Sequence, residues 1–269
     1  MILQQSVQKQ LQSTVLLAPH AVLLQGRFGV GLGSTAQALA LQLTSKTSIL
    51  NVKPDEKGSI KIKTIRELYG FTRTKQDERL VIVVDDADTM QAPAQNALLK
   101  LLEEPPEHVL FILTAHTPQL LLPTILSRVQ KIEIVPLNSK QTDSLLDDLN
   151  VSDAKKRAQL KYMAEGLPAE LTRLSNDVDY FTNRSASIKD AREFIQGSMY
   201  KKLVTSYKIG NDREKALSLL QDSAHIVEVS LKQKPSASLA RLLSDIVFTQ
   251  EKLHADGNIR TQLLKLAVY

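Results

Sequence analysis

Leu80-Val81-Ile82-Val83-Val84-Asp85-Asp86-Ala87-Asp88 carries five apolar residues, four of them β-branched, straight into a cluster of acids. A run with no polar alternation predicts a strand covered on both faces, as in the middle of a parallel sheet. Outward from it, Ala21 to Gln25, Thr47 to Val52, Val109 to Leu113 and Gln130 to Val135 read as further strands. Helical spacing fills the gaps. Residues 3–17 place Leu3, Val7, Leu11 and Val15 on one side and stop at Pro19; Ala36, Leu39, Ala40 and Leu43 line a second helix. Ile62 to Thr72, Ala92 to Leu102 and a short stretch from Leu120 to Leu126 give three more. Strands alternating with helices imply right-handed crossovers and a doubly wound α/β sheet.

Strand signals end after Pro136. Residues 139–175 read as short helices broken at Asn150 and at Gly166 to Pro168. Residues 185–268 are helical in pattern, with breaks near Gly210-Asn211, Lys234-Pro235 and Asp256-Gly257. Apolar stripes there, Ala216, Leu219, Leu220, Ser223 and Val227, then Leu239, Leu242, Leu243, Ile246 and Val247, predict a bundle of amphipathic helices. The expected organisation is an α/β domain over 1–137, a small helical domain over 138–180 and an all-α domain over 181–269.

A chain of 269 residues with 43% hydrophobic content supports packed cores in two or three modest domains and excludes a disordered chain. Aromatics at 4%, with no Trp, argue against a base-stacking platform. The formal charge of +5 fits a polyanion partner, but the basic residues are interspersed with acids. Lys53, Lys57, Lys61 and Lys63, and Lys155, Lys156 and Arg157, read as solvated faces or as phosphate contacts. The absence of cysteine excludes disulfides, thiol catalysis and thiolate zinc sites. No run approaches the roughly 18 apolar residues of a membrane helix, and the N-terminus lacks a charged region leading into an apolar one. The expectation is a soluble, cytoplasmic protein.

Gly26-Arg27-Phe28-Gly29-Val30-Gly31-Leu32-Gly33-Ser34-Thr35 lies between a strand and a helix, the arrangement that turns backbone N–H groups towards phosphates. In the phosphate-loop template G-x-x-x-x-G-K-[ST], Gly26 and Gly31 take the glycine positions. Leu32 replaces the lysine, Gly33 replaces the hydroxyl, and no lysine follows before Lys46. Without the ammonium and the metal-anchoring hydroxyl, triphosphate charge goes unneutralised. Backbone amides still suit a weakly held anion, and the stretch also serves as a plain strand-to-helix turn. Ser34 and Thr35 are expected as helix N-cap residues, and His20 and His116 in surface or packing roles. In the acid cluster, Asp85 suits a magnesium-shell position, whereas Asp86 is one methylene short of the Glu that polarises an attacking water.

Several stretches together resemble the clamp-loader AAA+ family. They are Asp85-Asp86-Ala87-Asp88-Thr89-Met90, Ala94-Gln95-Asn96-Ala97-Leu98-Leu99-Lys100-Leu101-Leu102-Glu103-Glu104-Pro105-Pro106, Phe111-Ile112-Leu113-Thr114, Pro123-Thr124-Ile125-Leu126-Ser127-Arg128, and His20-Ala21-Val22-Leu23-Leu24. The resemblance is dense over about 18–136 and looser to Asn258-Ile259-Arg260-Thr261-Gln262-Leu263-Leu264. The acidic box is similar to the δ′ branch more than to the ATP-hydrolysing γ/τ branch. Three departures from the family's pattern are informative. The cysteine-rich zinc module is missing from residues 44–58, Ala169 stands at the sensor 2 arginine position, and Thr114-Ala115-His116 occupies sensor 1.

The resemblance implies an AAA+ sheet domain, a helical lid and a C-terminal collar that joins subunits. It also implies a subunit without its own ATP hydrolysis, with Gly26, Gly29, Gly31, Leu32 and Gly33 as a degenerate loop and Asp85 and Asp86 as a vestigial Walker B motif. No cofactor, zinc or other metal is expected. Arg128, with Ser127, corresponds to the arginine that reaches a neighbouring subunit's nucleotide; Val129 departs from the family's cysteine there. The implied partners are γ/τ-type and δ-type subunits in a hetero-oligomeric ring that loads a sliding clamp onto primed DNA. Two other readings stay open: a catalytic γ/τ-like ATPase with an unusual loop, and a nucleic-acid-binding AAA+ module outside the replisome.

Overall fold

Five strands, β1 (Ala21–Gln25), β2 (Ile49–Val52), β3 (Leu80–Val84), β4 (Val109–Ala115) and β5 (Gln130–Glu133), form one sheet in the order β2-β3-β4-β1-β5. Every neighbouring pair is parallel. This computed structural model describes residues 4–17, 19–72, 79–255 and 257–268. Successive side chains leave a strand on opposite faces, so a strand covered on both sides needs apolar residues throughout. On one face Val22, Leu24, Val81, Val83, Leu110 and Ile112 are covered by α1 (Gln5–Leu17) and α2 (Leu32–Leu43), through Val7, Leu11, Ala36, Leu39 and Ala40. On the other, Leu23, Ile82, Val84, Phe111 and Leu113 meet α3 (Ile62–Thr72), α4 (Ala92–Glu103) and α5 (Pro123–Leu126), through Ile65, Leu68, Ala94, Leu98 and Ile125. The run Leu80 to Val84 is therefore split residue by residue between two cores.

Three helices follow: α6 (Ser139–Asp148), α7 (Ala154–Ala164) and α8 (Pro168–Asn176). Asn138 and Gln141 form a reciprocal capping box at the start of α6. The chain turns at Asn150 and Gly166, both with positive φ, and Pro168 opens α8 instead of breaking a helix. At Gly166 a Cβ would lie 2.4 Å from the Leu137 carbonyl oxygen, so only glycine allows this crossing. Residues Met1–Asn176 form one compact unit and Asp177–Tyr269 a second. The helices α6, α7 and α8 lie in the first.

The second unit comprises α9 (Val178–Gln196), α10 (Met199–Ile209), α11 (Arg213–Gln233), α12 (Ala237–His254) and α13 (Ile259–Val268). Helix α9 begins seven residues before the expected position 185, because the Asp177 carboxylate accepts the Tyr180 N–H and starts the helix there. The helical pattern does not predict the break at Gly197, where a Cβ would lie 2.2 Å from the Glu193 carbonyl oxygen. The stripe on α11 is buried as expected. On α12 the inner face is Ile246, Thr249 and Leu253, whereas Val247 is 43% exposed. Leu3 and Asp256, which entered the sequence reading, lie outside the described residues. Among the described residues no helix is long and apolar enough to cross a membrane.

Candidate functional site

The glycine loop leaves the carboxyl end of β1. A Cβ on Gly26 would stand 2.4 Å from the Ile134 carbonyl oxygen, so the loop starts where the chain beyond β5 passes too close for any side chain. Gly29 and Gly31 both have φ of 87°, in the left-handed region that glycine enters without steric cost. Gly31 is the N-cap of α2, and Leu32, Gly33 and Ser34 form its first turn. This corrects the expectation for Ser34 and Thr35. Neither caps the helix; Thr35 is buried in its fourth position, and its hydroxyl donates back to the Gly31 carbonyl at 2.8 Å.

Leu32 is 2% exposed and belongs to the α1–α2 core, with Val22, Leu24 and Ile112. Gly33 faces Asp85: a Cβ there would meet the two carboxylate oxygens at 3.1 and 3.2 Å. The loop thus keeps the approach between a template hydroxyl position and the acid at the tip of β3, but the hydroxyl is gone. A lysine-held, magnesium-bound triphosphate does not fit this donor set. The cationic position is aliphatic and turned into the core, and the metal position retains one carboxylate.

Thr114, fully buried at the end of β4, organises the acids. Its hydroxyl donates to Asp85 Oδ1 and accepts the Asp86 N–H, each at 2.8 Å. Asp86 takes the left-handed conformation, φ 50 and ψ 51. Burial, and then the charge of Asp85, hold its carboxyl above the ordinary carboxylate value of 3.8, with His116 opposing. Asp88 Oδ2 accepts the backbone N–H groups of His116 and Thr117 at 3.0 and 2.6 Å. His116 is more than a surface or packing residue. Its Nδ1 lies 3.0 Å from the Gly26 carbonyl oxygen and its Nε2 3.4 Å from Asp86 Oδ1. The ring of Phe28 stands over it, 4.9 Å between centroids. Sequence order gives no direct sign of this role; the available signal is a polar side chain immediately after a fully buried strand.

Ala169, at the start of α8, presents its backbone N–H to the Gly29 carbonyl at 3.1 Å. Leu167 packs against Gly29. The position that would carry a sensor arginine is thus a backbone contact to the loop itself.

Arg128 stands elsewhere. Val22 pairs with Gln130 and Gln25 with Glu133, so Arg128 precedes β5 at the end of the sheet opposite the loop. The separation is at least four residues of strand, roughly 13 Å. Its guanidinium donates to the Thr124 carbonyl at 3.0 Å and to the Ser127 hydroxyl at 3.4 Å, and pairs with Glu103 at 3.1 Å. Both partners of that ion pair are more than one-third exposed, which makes it weak and easily exchanged. Val129 is buried in the α3–α4 core. Of the basic clusters, Lys61 pairs with Asp55, and Arg157 with Asp143 and Asp147.

Fold and site define the class: a parallel sheet with a phosphate-loop position at the tip of β1 and an acidic strand tip beside it is the AAA+ P-loop architecture. A DNA polymerase III gamma subunit-related protein from Thermotoga maritima superposes with a TM-score of 0.59 over 96% of this chain and 97% of that one, at 20% identity, which supports the fold. Residues 47–138 match the family model described as DNA polymerase III, delta subunit. The chain is 34% identical over 128 residues to DNA polymerase III subunit delta′ of Bacillus subtilis, covering 48% of this chain and 38% of the relative. It is also 34% identical over 133 residues to subunit gamma/tau of Mycobacterium bovis, covering 40% of this chain and 23% of the relative. The clamp-loader resemblance carried by the motifs therefore stands on sequence comparison too, δ′-like over the matched segment. The chain spans well under half the length of these two relatives.

Proposed function

We propose that this chain is a non-hydrolysing, δ′-like subunit of a DNA polymerase III clamp loader, acting in the cytoplasm. The observation that carries this reading is the pair Leu32 and Gly33: an aliphatic side chain turned into the core and a bare α-carbon facing Asp85, where hydrolysis requires an ammonium and a hydroxyl. The subunit acts through its neighbours. Arg128, positioned with Ser127 away from its own loop, serves the nucleotide of an adjacent γ/τ-type subunit. A guanidinium set against a γ-phosphate accelerates hydrolysis by about 10³–10⁵ in other NTPases. The helices of residues 177–269 serve as the collar that joins γ/τ-type and δ-type subunits into a ring. Through that ring the chain supports loading of the sliding clamp onto primed DNA, with no cofactor of its own.

Arg128→Ala tests the reading. Losing one exposed ion pair costs at most about 1 kcal/mol, so the variant should fold and assemble normally. In an assembly reconstituted with γ/τ-type and δ-type subunits, DNA-stimulated ATP hydrolysis should fall by at least about tenfold. An assembly that hydrolyses ATP and loads clamps at the parent rate would remove the trans arginine from the account.

A further inference from the structure

The chain leaves β1 towards β2 on one side of the sheet order and leaves β4 towards β5 on the other. In open α/β sheets such a reversal opens a crevice beyond the carboxyl ends of the two strands, and ligands bind there. In this protein the crevice lies between Gly26, just after β1, and His116, just after β4. A carbonyl only accepts, so Nδ1 of His116 carries the proton it shares with the Gly26 oxygen at 3.0 Å. Nε2 faces Asp86, at the tip of β3, at 3.4 Å. The His116 N–H is fixed by Asp88 Oδ2 at 3.0 Å, the side chain is only 23% exposed, and the Phe28 ring covers it. One imidazole therefore links the tips of β1, β4 and β3. From the other side, the Ala169 N–H holds the Gly29 carbonyl at 3.1 Å.

We propose that His116 is a positioning residue that closes the glycine loop across the switch-point crevice, supplying from the protein the bridge that an adenine nucleotide would otherwise make between loop and acidic strand tip. The inference rests on reading the loop as non-hydrolysing and adds a claim about access: nucleotide is kept out by an occupied crevice as well as by the missing lysine. His116→Ala should open the loop, and His116→Gln, whose side-chain amide can still donate to the Gly26 carbonyl, should keep it closed. Phe28→Ala removes a ring that is 80% exposed, so it leaves the core intact and uncovers the crevice if His116→Ala fails to fold.

The test titrates the full chain with the fluorescent nucleotide mant-ADP and follows amide hydrogen exchange in parallel. His116→Ala should bind about three- to tenfold more tightly than the parent, the worth of one hydrogen bond. Exchange should quicken over residues 26–35 and stay unchanged over 80–84. His116→Gln should match the parent, and Phe28→Ala should shift binding and exchange in the direction of His116→Ala. Equal affinity in parent and His116→Ala, including no measurable binding by either, overturns the proposal, as does parent-like behaviour of Phe28→Ala where His116→Ala does not fold. Turnover of mant-ATP by the parent would instead contradict the non-hydrolysing reading, leaving the affinity ratio to judge the latch.

Discussion

Asp86 concentrates the tension of the site in one residue. It sits in the left-handed region, and burial, followed by the neighbouring Asp85 carboxylate, holds its carboxyl above 3.8. A native-state pKa raised above the unfolded value means that folding disfavours the ionised form. The associated stability is fully present below the unfolded value and is lost as pH rises through the native one. Asp86→Asn removes the charge and tolerates the left-handed backbone. The variant should be more stable than the parent at pH 7 to 8, by up to about 1 kcal/mol after solvent screening of a side chain one-third exposed. The gap should close on acidification below the ordinary carboxylate range, which thermal melts across pH would register. A gap that is constant with pH would mean that ionisation of Asp86 carries no strain. At the same scale, Leu32 and Gly33 were readable from the chain alone, because a template position either holds a lysine or does not. His116 was not, since its partners, Gly26 and Asp86, are 90 and 30 positions away in sequence and meet it only through the sheet order.

Among elements, the inner strands β1, β3 and β4 are the most legible, whereas the edge strands β2 and β5 are only partly buried and β2 begins two residues later than expected, at Ile49. Burial on both faces demands unbroken apolar runs, and those runs are hard to mistake when acids or glycines end them. Helix boundaries were less so. The start of α9 depends on one capping carboxylate, Asp177, and the break at Gly197 on a contact with the preceding turn. The end of β4 shows how an element carries chemistry to its tip. Thr114 joins β4 to the acids of β3 with a hydroxyl that both donates and accepts. Thr114→Val keeps the shape and removes both bonds, leaving the Asp86 N–H without that acceptor. The expected loss is about 1–3 kcal/mol, read from the denaturant midpoint of the unit containing the sheet. An unchanged midpoint would show that the strand tips are held by packing alone.

Across the whole molecule, the losses that bear on nucleotide lie together while the arginine lies apart. Leu32, Gly33, the backbone contact at Ala169 and the His116 bridge all converge on one strand-tip region, whereas Arg128 stands at the other end of the sheet. The proposed function assigns hydrolysis to the neighbours of such a chain and none to the chain itself. The direct measurement is steady-state ATP turnover by the purified chain alone, with magnesium and primed DNA present. The account predicts no release of phosphate above the buffer background, and no change on Asp85→Ala. Saturable, magnesium-dependent turnover that Asp85→Ala abolishes would contradict it.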